Sequence, residues 1–320
     1  MNTIIIIAIK EFKEIIRTRT FLFVLFLFLV LVGISITISS LVFNDQVTQF
    51  NQSLEVLKSL GRASNITQPD FYPLNLLRGV VDYIEIVGAI LGIFLGYISA
   101  YREKVSKSLS LILSRPVKKI HIIYGKLLGN FSFIFMMMIF VSILIITLLY
   151  AIAGANLIGV EFIKIGLFVF TSSFYILIFF MLSFLLCLSQ KNTVNALIMS
   201  FLIWLIFALI IPQIGDTMDT DNQISGGFFK SINLSRTDEF KVMDHFKTYE
   251  NIRTGVEQLS ITKHYERLEF ALFGIKKDYA DKSLSFILQD KSTDIFILII
   301  FFGLLMKINT YYLKKNLNYN

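Results

Sequence analysis

The stretch that decides the fold is TFLFVLFLFLVLVGISITISSLVF, residues 20–43, which carries no charged side chain. A helix rises 1.5 Å per residue, so roughly 20 apolar residues cross a hydrocarbon layer of about 30 Å. This run is long enough to span a bilayer, and its uninterrupted apolar character predicts a membrane helix. Working outward, similar runs occur at Gly79 to Tyr101, Leu127 to Ala153, Ile165 to Ser189 and Thr193 to Gln213. A sixth, Ser292 to Leu313, has a shorter uncharged middle between Asp294 and Lys307, and Lys307 can snorkel to the interface. The fold class expected is an all-α integral membrane protein of six spans.

Composition agrees with this reading. Of 320 residues, 55% are hydrophobic and 17% charged, and the charges cluster between the apolar runs. The net charge of +7 falls beside those runs and not on a basic patch interleaved with aromatics. That pattern points to the lipid bilayer as a partner and away from nucleic acid. The single cysteine, Cys187, permits no intramolecular disulfide and no cysteine metal cluster. The first apolar run is too long for a cleaved signal segment, so it is expected to be retained.

Basic residues set the expected orientation. Lys10, Lys13, Arg17 and Arg19 precede the first span. Arg102, Lys104, Lys107, Arg115, Lys118, Lys119 and Lys126 lie between the second and third, Lys191 between the fourth and fifth, and Lys307, Lys314 and Lys315 at the C-terminal end. The short alternate segments are poor in them, and the long segment Ile214 to Asp290, with ten basic and thirteen acidic residues, is a weak topological vote, so both termini are expected in the cytoplasm of a multi-pass protein of the inner, cytoplasmic membrane.

Four regions follow. Residues 1–19 form an amphipathic interfacial helix, with Ile5, Ala8, Ile9, Phe12, Ile15 and Ile16 on one side and Lys10, Lys13, Glu14 and Arg17 mostly on the other. Residues 20–213 hold spans 1–5, with a cytoplasmic loop at 102–126. Residues 214–291 read as a small helical extracytoplasmic domain, with breaks expected at Gly226-Gly227 and Gly255. Residues 292–320 hold span 6 and a cytoplasmic tail.

The loop carries the most information: Glu103-Lys104-Val105-Ser106-Lys107-Ser108-Leu109-Ser110-Leu111-Ile112-Leu113-Ser114-Arg115-Pro116-Val117. Leu109, Ile112 and Leu113 share a helical face, while Lys104 and Lys107 are expected to stay wet. Pro116 disfavours helix at Arg115 and forces a turn. An apolar ridge beside charge either seats a partner in a groove or packs on its own bundle.

This stretch resembles the signature of type-2 ABC transporter permeases, roughly Glu-Arg/Lys-x-x-Gly-Thr-Leu-Glu-Leu-Leu-Leu-Ser/Thr-x-Pro-Val. Glu103, Lys104, Leu109, Leu111, Ile112, Leu113, Ser114, Pro116 and Val117 match it. Ser108 stands where Thr is usual, Lys107 replaces Gly and Ser110 replaces Glu. The start and the large outer insertion look similar to the copper-enzyme-maturation and gliding-motility permeases. The resemblance implies two membrane subunits, alike or different, working with two cytoplasmic ABC ATPase subunits that carry out the ATP hydrolysis. It makes the loop helix the ATPase-coupling element, with Glu103 and Arg115 as polar contacts, and implies an exporter. ATP and magnesium would belong to the ATPase partner, because this chain has no Gly-x-x-x-x-Gly-Lys-Ser/Thr phosphate loop. No cofactor, metal or catalytic constellation is expected here, so the chain is not expected to be an enzyme. A different class of function, a membrane scaffold or sensor whose outer domain binds an extracytoplasmic partner, also fits the residues.

Other residues stand out. Asp82 and Glu85, near the outer end of the second span, either line a substrate vestibule or bind a cation, or simply start a helix as acidic groups complementing its dipole. Gly88, Gly92 and Gly96 form a small-residue ladder for close helix packing, within the subunit or across a dimer. Met136, Met137 and Met138 point in different directions and read as packing. His245 and His264 are expected on solvated helix faces.

Overall fold

A computed structural model describes residues 3–60, 72–105, 119–218, 232, 247–276, 279 and 282–316. Among these the chain is helical with no strand. The helices are α1 (Thr3–Arg17), α2 (Arg19–Ser59), α3 (Arg78–Tyr83), α4 (Ala89–Val105), α5 (Lys119–Ala151), α6 (Gly159–Ser189), α7 (Thr193–Leu205), α8 (Ile211–Met218), α9 (Lys247–Glu257), α10 (Ile261–Leu272), α11 (Leu284–Asp290) and α12 (Ser292–Asn316). Two π-helical turns, Ile84–Gly88 and Ile206–Ile210, join α3 to α4 and α7 to α8.

Six of the resulting helical segments are long and apolar enough to cross a membrane: Leu25–Ser59, Pro73–Lys104, Ile120–Ala151, Gly159–Ser189, Thr193–Met218 and Ser292–Tyr312. Contacts fix their directions. At one end of the bundle, Tyr312 of the sixth span donates to the Ser189 carbonyl closing the fourth, and α1 lies against the start of the third. At the other end, Asn44 of α2 donates to the Ile152 carbonyl just past the third span, and Gly215 near the end of the fifth span lies against Glu257. The spans therefore alternate, and α1 and Tyr312 lie at the same end. That end also receives both flanks of residues 106–118 and is called the loop end below.

Two differences from the sequence reading have local causes. The first span does not stop at Phe43: α2 runs on to Ser59, for 41 residues in all. Its polar continuation contains neither Gly nor Pro until Gly61, and Thr48 and Ser53 return their hydroxyls to carbonyls one turn back. Gly255 does not break its helix but lies inside α9; the break comes at Ser260, whose hydroxyl caps α10 by accepting from the Lys263 amide. Gly226-Gly227 lies outside the described residues.

The fourth span is the central post, with the second lying along it. A Cβ on Gly92 would stand 2.3 Å from the Ile176 carbonyl oxygen, and one on Gly96 2.2 Å from that of Phe180. Only a residue without a side chain permits that backbone approach. Gly88 is looser, its Cβ position 3.2 Å from the Ile176 side chain. Helix α1 uses the same device against α5: Gly125 faces Ile7 and Ile4, Gly129 faces Ala8, and Phe133 contacts Phe12. The pairs advance together, so α1 and the first turns of α5 run side by side in one direction. Ala8, Glu11 and Ile15 are buried there, while Ile5, Ile6, Ile9 and Ile16 remain exposed. Met137 and Met138 are core residues.

The segment after the fifth span does not stand apart from the bundle. Ile261, Tyr265, Phe270 and Phe273 share one apolar core with the spans. Among the described residues, Leu268, Ala271, Leu272 and Ile287 form a small satellite cluster.

Candidate functional site

Residues 102–104, the last turn before the 106–118 stretch, are tied to three different parts of the molecule. Arg102 reaches Glu14 of α1 at 3.5 Å. Glu103 pairs with Lys126 of α5 at 3.0 Å. Lys104 donates to the carbonyls of Cys187 and Gln190 at the end of α6. Lys104 is thus not free in water, as its charge alone suggests, because unsatisfied carbonyls at a helix C-terminus attract an ammonium.

Lys126 is the hub. Its Nζ lies 2.6 Å from Glu11 Oε1, 3.0 Å from Glu103 Oε1 and 3.1 Å from Ser99 Oγ. An ammonium has three protons, and these three acceptors account for them. Ser99 in turn donates to Glu11 Oε2 at 3.2 Å, which completes a closed network. Lys126, Glu11 and Glu103 are all at most 5% exposed at the side chain, so water does little to screen them. The cluster joins α1, α4 and α5 at the loop end. Beside it opens a cavity of about 640 Å³, lined among others by Lys10, Glu14, Arg17 and Arg102.

Of the residues that the sequence singles out for coupling, Glu103 is therefore turned inward onto Lys126. Lys107, Ser108, Leu109, Leu111, Ile112, Leu113, Ser114, Arg115 and Pro116 lie outside the described residues. Glu11, Ser99 and Lys126 were missed. A signal existed for Glu11: it sits three residues after Ala8 and four before Ile15, on the buried face of α1 and not with Lys10, Lys13 and Arg17.

A second polar assembly lies at the opposite end. Asp82 is exposed there and Glu85 buried. Each π turn leaves a backbone carbonyl that a side chain takes up. Tyr175 donates its phenol to the Glu85 carbonyl at 2.8 Å, and Thr262 donates to the Phe207 carbonyl at 2.8 Å, alongside Ser260. Such turns recur where helices serve function. Tyr265 of α10 stacks on Tyr175 with ring centroids 4.2 Å apart.

His264 corrects the sequence reading: it is buried, not solvated. Its Nε2 donates to the Gln258 carbonyl at 2.8 Å, while Nδ1 stands 2.6 Å from Asp294 Oδ1. A carbonyl only accepts, so Nε2 carries a proton there, and the Nδ1 side of the ring is hydrogen-bonded to the Asp294 carboxyl. The pair fastens α10 to the sixth span. His245 lies outside the described residues. No group of three or more His, Cys, Asp or Glu side chains suited to a metal ion occurs among the described residues.

Compared with known proteins, residues 5–315 match the family model described as ABC-2 family transporter protein. No curated protein matches the chain.

Proposed function

The chain belongs to the ABC-2 family of transporter proteins, and from that premise we propose that it is the permease of an ATP-driven exporter worked by a separate cytoplasmic ATPase. A multi-pass, all-α membrane component of an ABC transporter follows from the family and the six apolar helices. Direction of transport, the ATPase and its docking are the proposal.

One observation carries it. The three residues entering the 106–118 stretch are anchored to α1, α5 and the end of α6, with Lys126 closing the return side. A push delivered to that stretch is thereby shared between α1 and two helices, α5 and α6, that reach the opposite end of the bundle. Buried, hydrogen-bonded charges resist shear, because separating them strands an ion in low dielectric. In this reading Leu109, Leu111, Ile112, Leu113 and Pro116 shape the ridge that an ATPase groove grips, flanked by Lys107, Ser108, Ser114 and Arg115. Glu103 serves from behind, through Lys126. Two permeases, identical or not, join two ATPases, and ATP with magnesium is bound by the latter. The basic loop end faces the cytoplasm of the inner membrane.

The test is co-purification with the ATPase. Leu109→Asp combined with Ile112→Asp is expected to abolish the association while membrane insertion persists. Undiminished capture of the ATPase by this double variant refutes the docking assignment. ATP-dependent movement of a labelled substrate in vesicles containing both subunits separates a transporter from a scaffold.

A further inference from the structure

Helix α10 lies antiparallel to α6 along a seam of four rungs. Phe273 meets Phe168 with ring centroids 5.0 Å apart, Glu269 meets Thr171, Tyr265 meets Ser172 at 2.7 Å, and Tyr265 stacks on Tyr175. Three of these rungs are chemically complete. The Glu269 rung is not.

Glu269 is fully buried in α10, outside the six spans. Its Oε1 is bonded to the Thr171 hydroxyl, and its Oε2 has no hydrogen-bond partner among the described residues. Thr171 has one proton to give, and its oxygen also stands 2.9 Å from the Leu167 carbonyl. With a neutral Glu269 every donor is used: the acid proton goes to Thr171 Oγ1, and Thr171 donates on to Leu167. With an ionised Glu269, Thr171 must abandon the carbonyl, and Oε2 carries charge in a buried position with no hydrogen-bond partner among the described residues. An uncompensated buried charge costs far more than a buried neutral acid.

The surrounding ions do not relieve it. On α10, Lys263 pairs with Glu266 at 2.7 Å, Arg267 pairs with Glu257 of α9 at 2.6 Å, and His264 is held by Asp294 of α12. From the second span come Arg78, which lies over the Phe270 ring at 5.6 Å, and the acids Asp82 and Glu85. α6 presents the Tyr175 phenol, already given to a carbonyl. Beyond α10, Lys276 has Glu266 and Glu257 as its acidic neighbours, and Lys291 pairs with Asp290 after α11. Burial pushes the Glu269 carboxyl up to about 8, against the one hydrogen bond from Thr171.

We propose that Glu269 is a proton-binding site that links the seating of α10 in the bundle to pH. The seated form holds the proton on the carboxyl, hydrogen-bonded to Thr171. When α10 leaves the seam, the exposed carboxyl passes that proton to water. Because α10 also holds the Phe207 carbonyl and Asp294, the proton is taken up as this end of the bundle closes and released as it opens. An exposed glutamate ionises near pH 4.3. Between there and about 8, each unit of rising pH therefore multiplies the unseated fraction about ten-fold.

Hydrogen exchange of the full chain in lipid nanodiscs tests this, following amides 261–272 from pH 5.5 to 9 and correcting for intrinsic rates. The wild type is expected to open about ten-fold more per pH unit up to about pH 8 and then level off. Glu269→Gln, which cannot ionise, is expected to be flat over the same range. A flat wild type, or an unchanged slope in Glu269→Gln, overturns the proposal. A second measurement stands without that variant. The wild type at pH 6 is expected to show the infrared carbonyl band of a protonated carboxyl, displaced in Glu269→Asp and lost at alkaline pH. Absence of a band that responds in this way also overturns it.

Discussion

Replacing Lys126 by Met is the sharpest test of the loop-end network. Methionine keeps most of the side-chain volume and removes the ammonium. In the structure that ammonium lies 2.6 Å from Glu11 and 3.0 Å from Glu103, at 3% side-chain exposure. Its loss leaves two buried carboxylates facing one another without the cation they share. Breaking a buried ion pair by removing one partner costs about 3–5 kcal/mol. The upper part of that range applies, because one cation serves two anions. Lys126→Arg is expected to recover only part of the loss, since a planar guanidinium cannot aim donors at three acceptors arranged around an ammonium. Adding Glu11→Gln to Lys126→Met removes one stranded charge and is expected to restore about 1–3 kcal/mol, a coupling in the range found for residues in contact. The assay is unfolding of the purified chain in nanodiscs, with hydrogen exchange reporting on α1. If Lys126→Met stays within about 0.5 kcal/mol of wild type, as surface substitutions do, or if α1 keeps its protection, the network does not hold these helices together.

Three further outcomes follow from the geometry described above. Gly92→Ala and Gly96→Ala place a methyl 2.3 and 2.2 Å from backbone oxygens of α6 and should each cost about 1–3 kcal/mol in thermal unfolding, whereas Gly303→Ala, with open space around it, should not destabilise. Tyr175→Phe keeps the stack on Tyr265 but leaves the Glu85 carbonyl unpaired; a loss of about 1–3 kcal/mol is expected, read as faster exchange of amides 84–92. Burial raises the Glu257 carboxyl, but the hydrogen bond and charge of Arg267, with the Arg253 charge, leave it lowered overall. Its contribution to the α9–α10 connection is therefore present above the ordinary glutamate range and lost as pH falls through the lowered value. Acidification should loosen α9 in the wild type and have less effect in Glu257→Gln.

The spans were readable because lipid leaves a backbone no partner but itself, so an uncharged run such as 20–43 has one stable outcome. The glycine ladder was readable as close packing, but its partner was not: nothing in Gly92 or Gly96 names Ile176 and Phe180. Polar segments were less legible. The burial of His264 depends on a tertiary contact with Asp294 that joins residues thirty positions apart in the chain. Lys126 looked like one more basic residue flanking a span. Only its distance to Glu11, 115 positions away, distinguishes it from Lys119. The π turns follow no propensity rule and become visible only through the carbonyls that Tyr175 and Thr262 take up.

The great length of α2 has a mechanical corollary. It starts across a single extended residue, Thr18, from the helix that Lys126 pins, and touches α5 again where Asn44 grips Ile152. Taken as a rigid rod on a fulcrum at Asn44, it has arms of about 38 Å toward Arg19 and about 22 Å toward Ser59. A sideways step of about 3 Å at the foot then swings the tip about 2 Å the opposite way. One stiff rod would thus turn an inward pinch at one face of the bilayer into a splaying apart at the other.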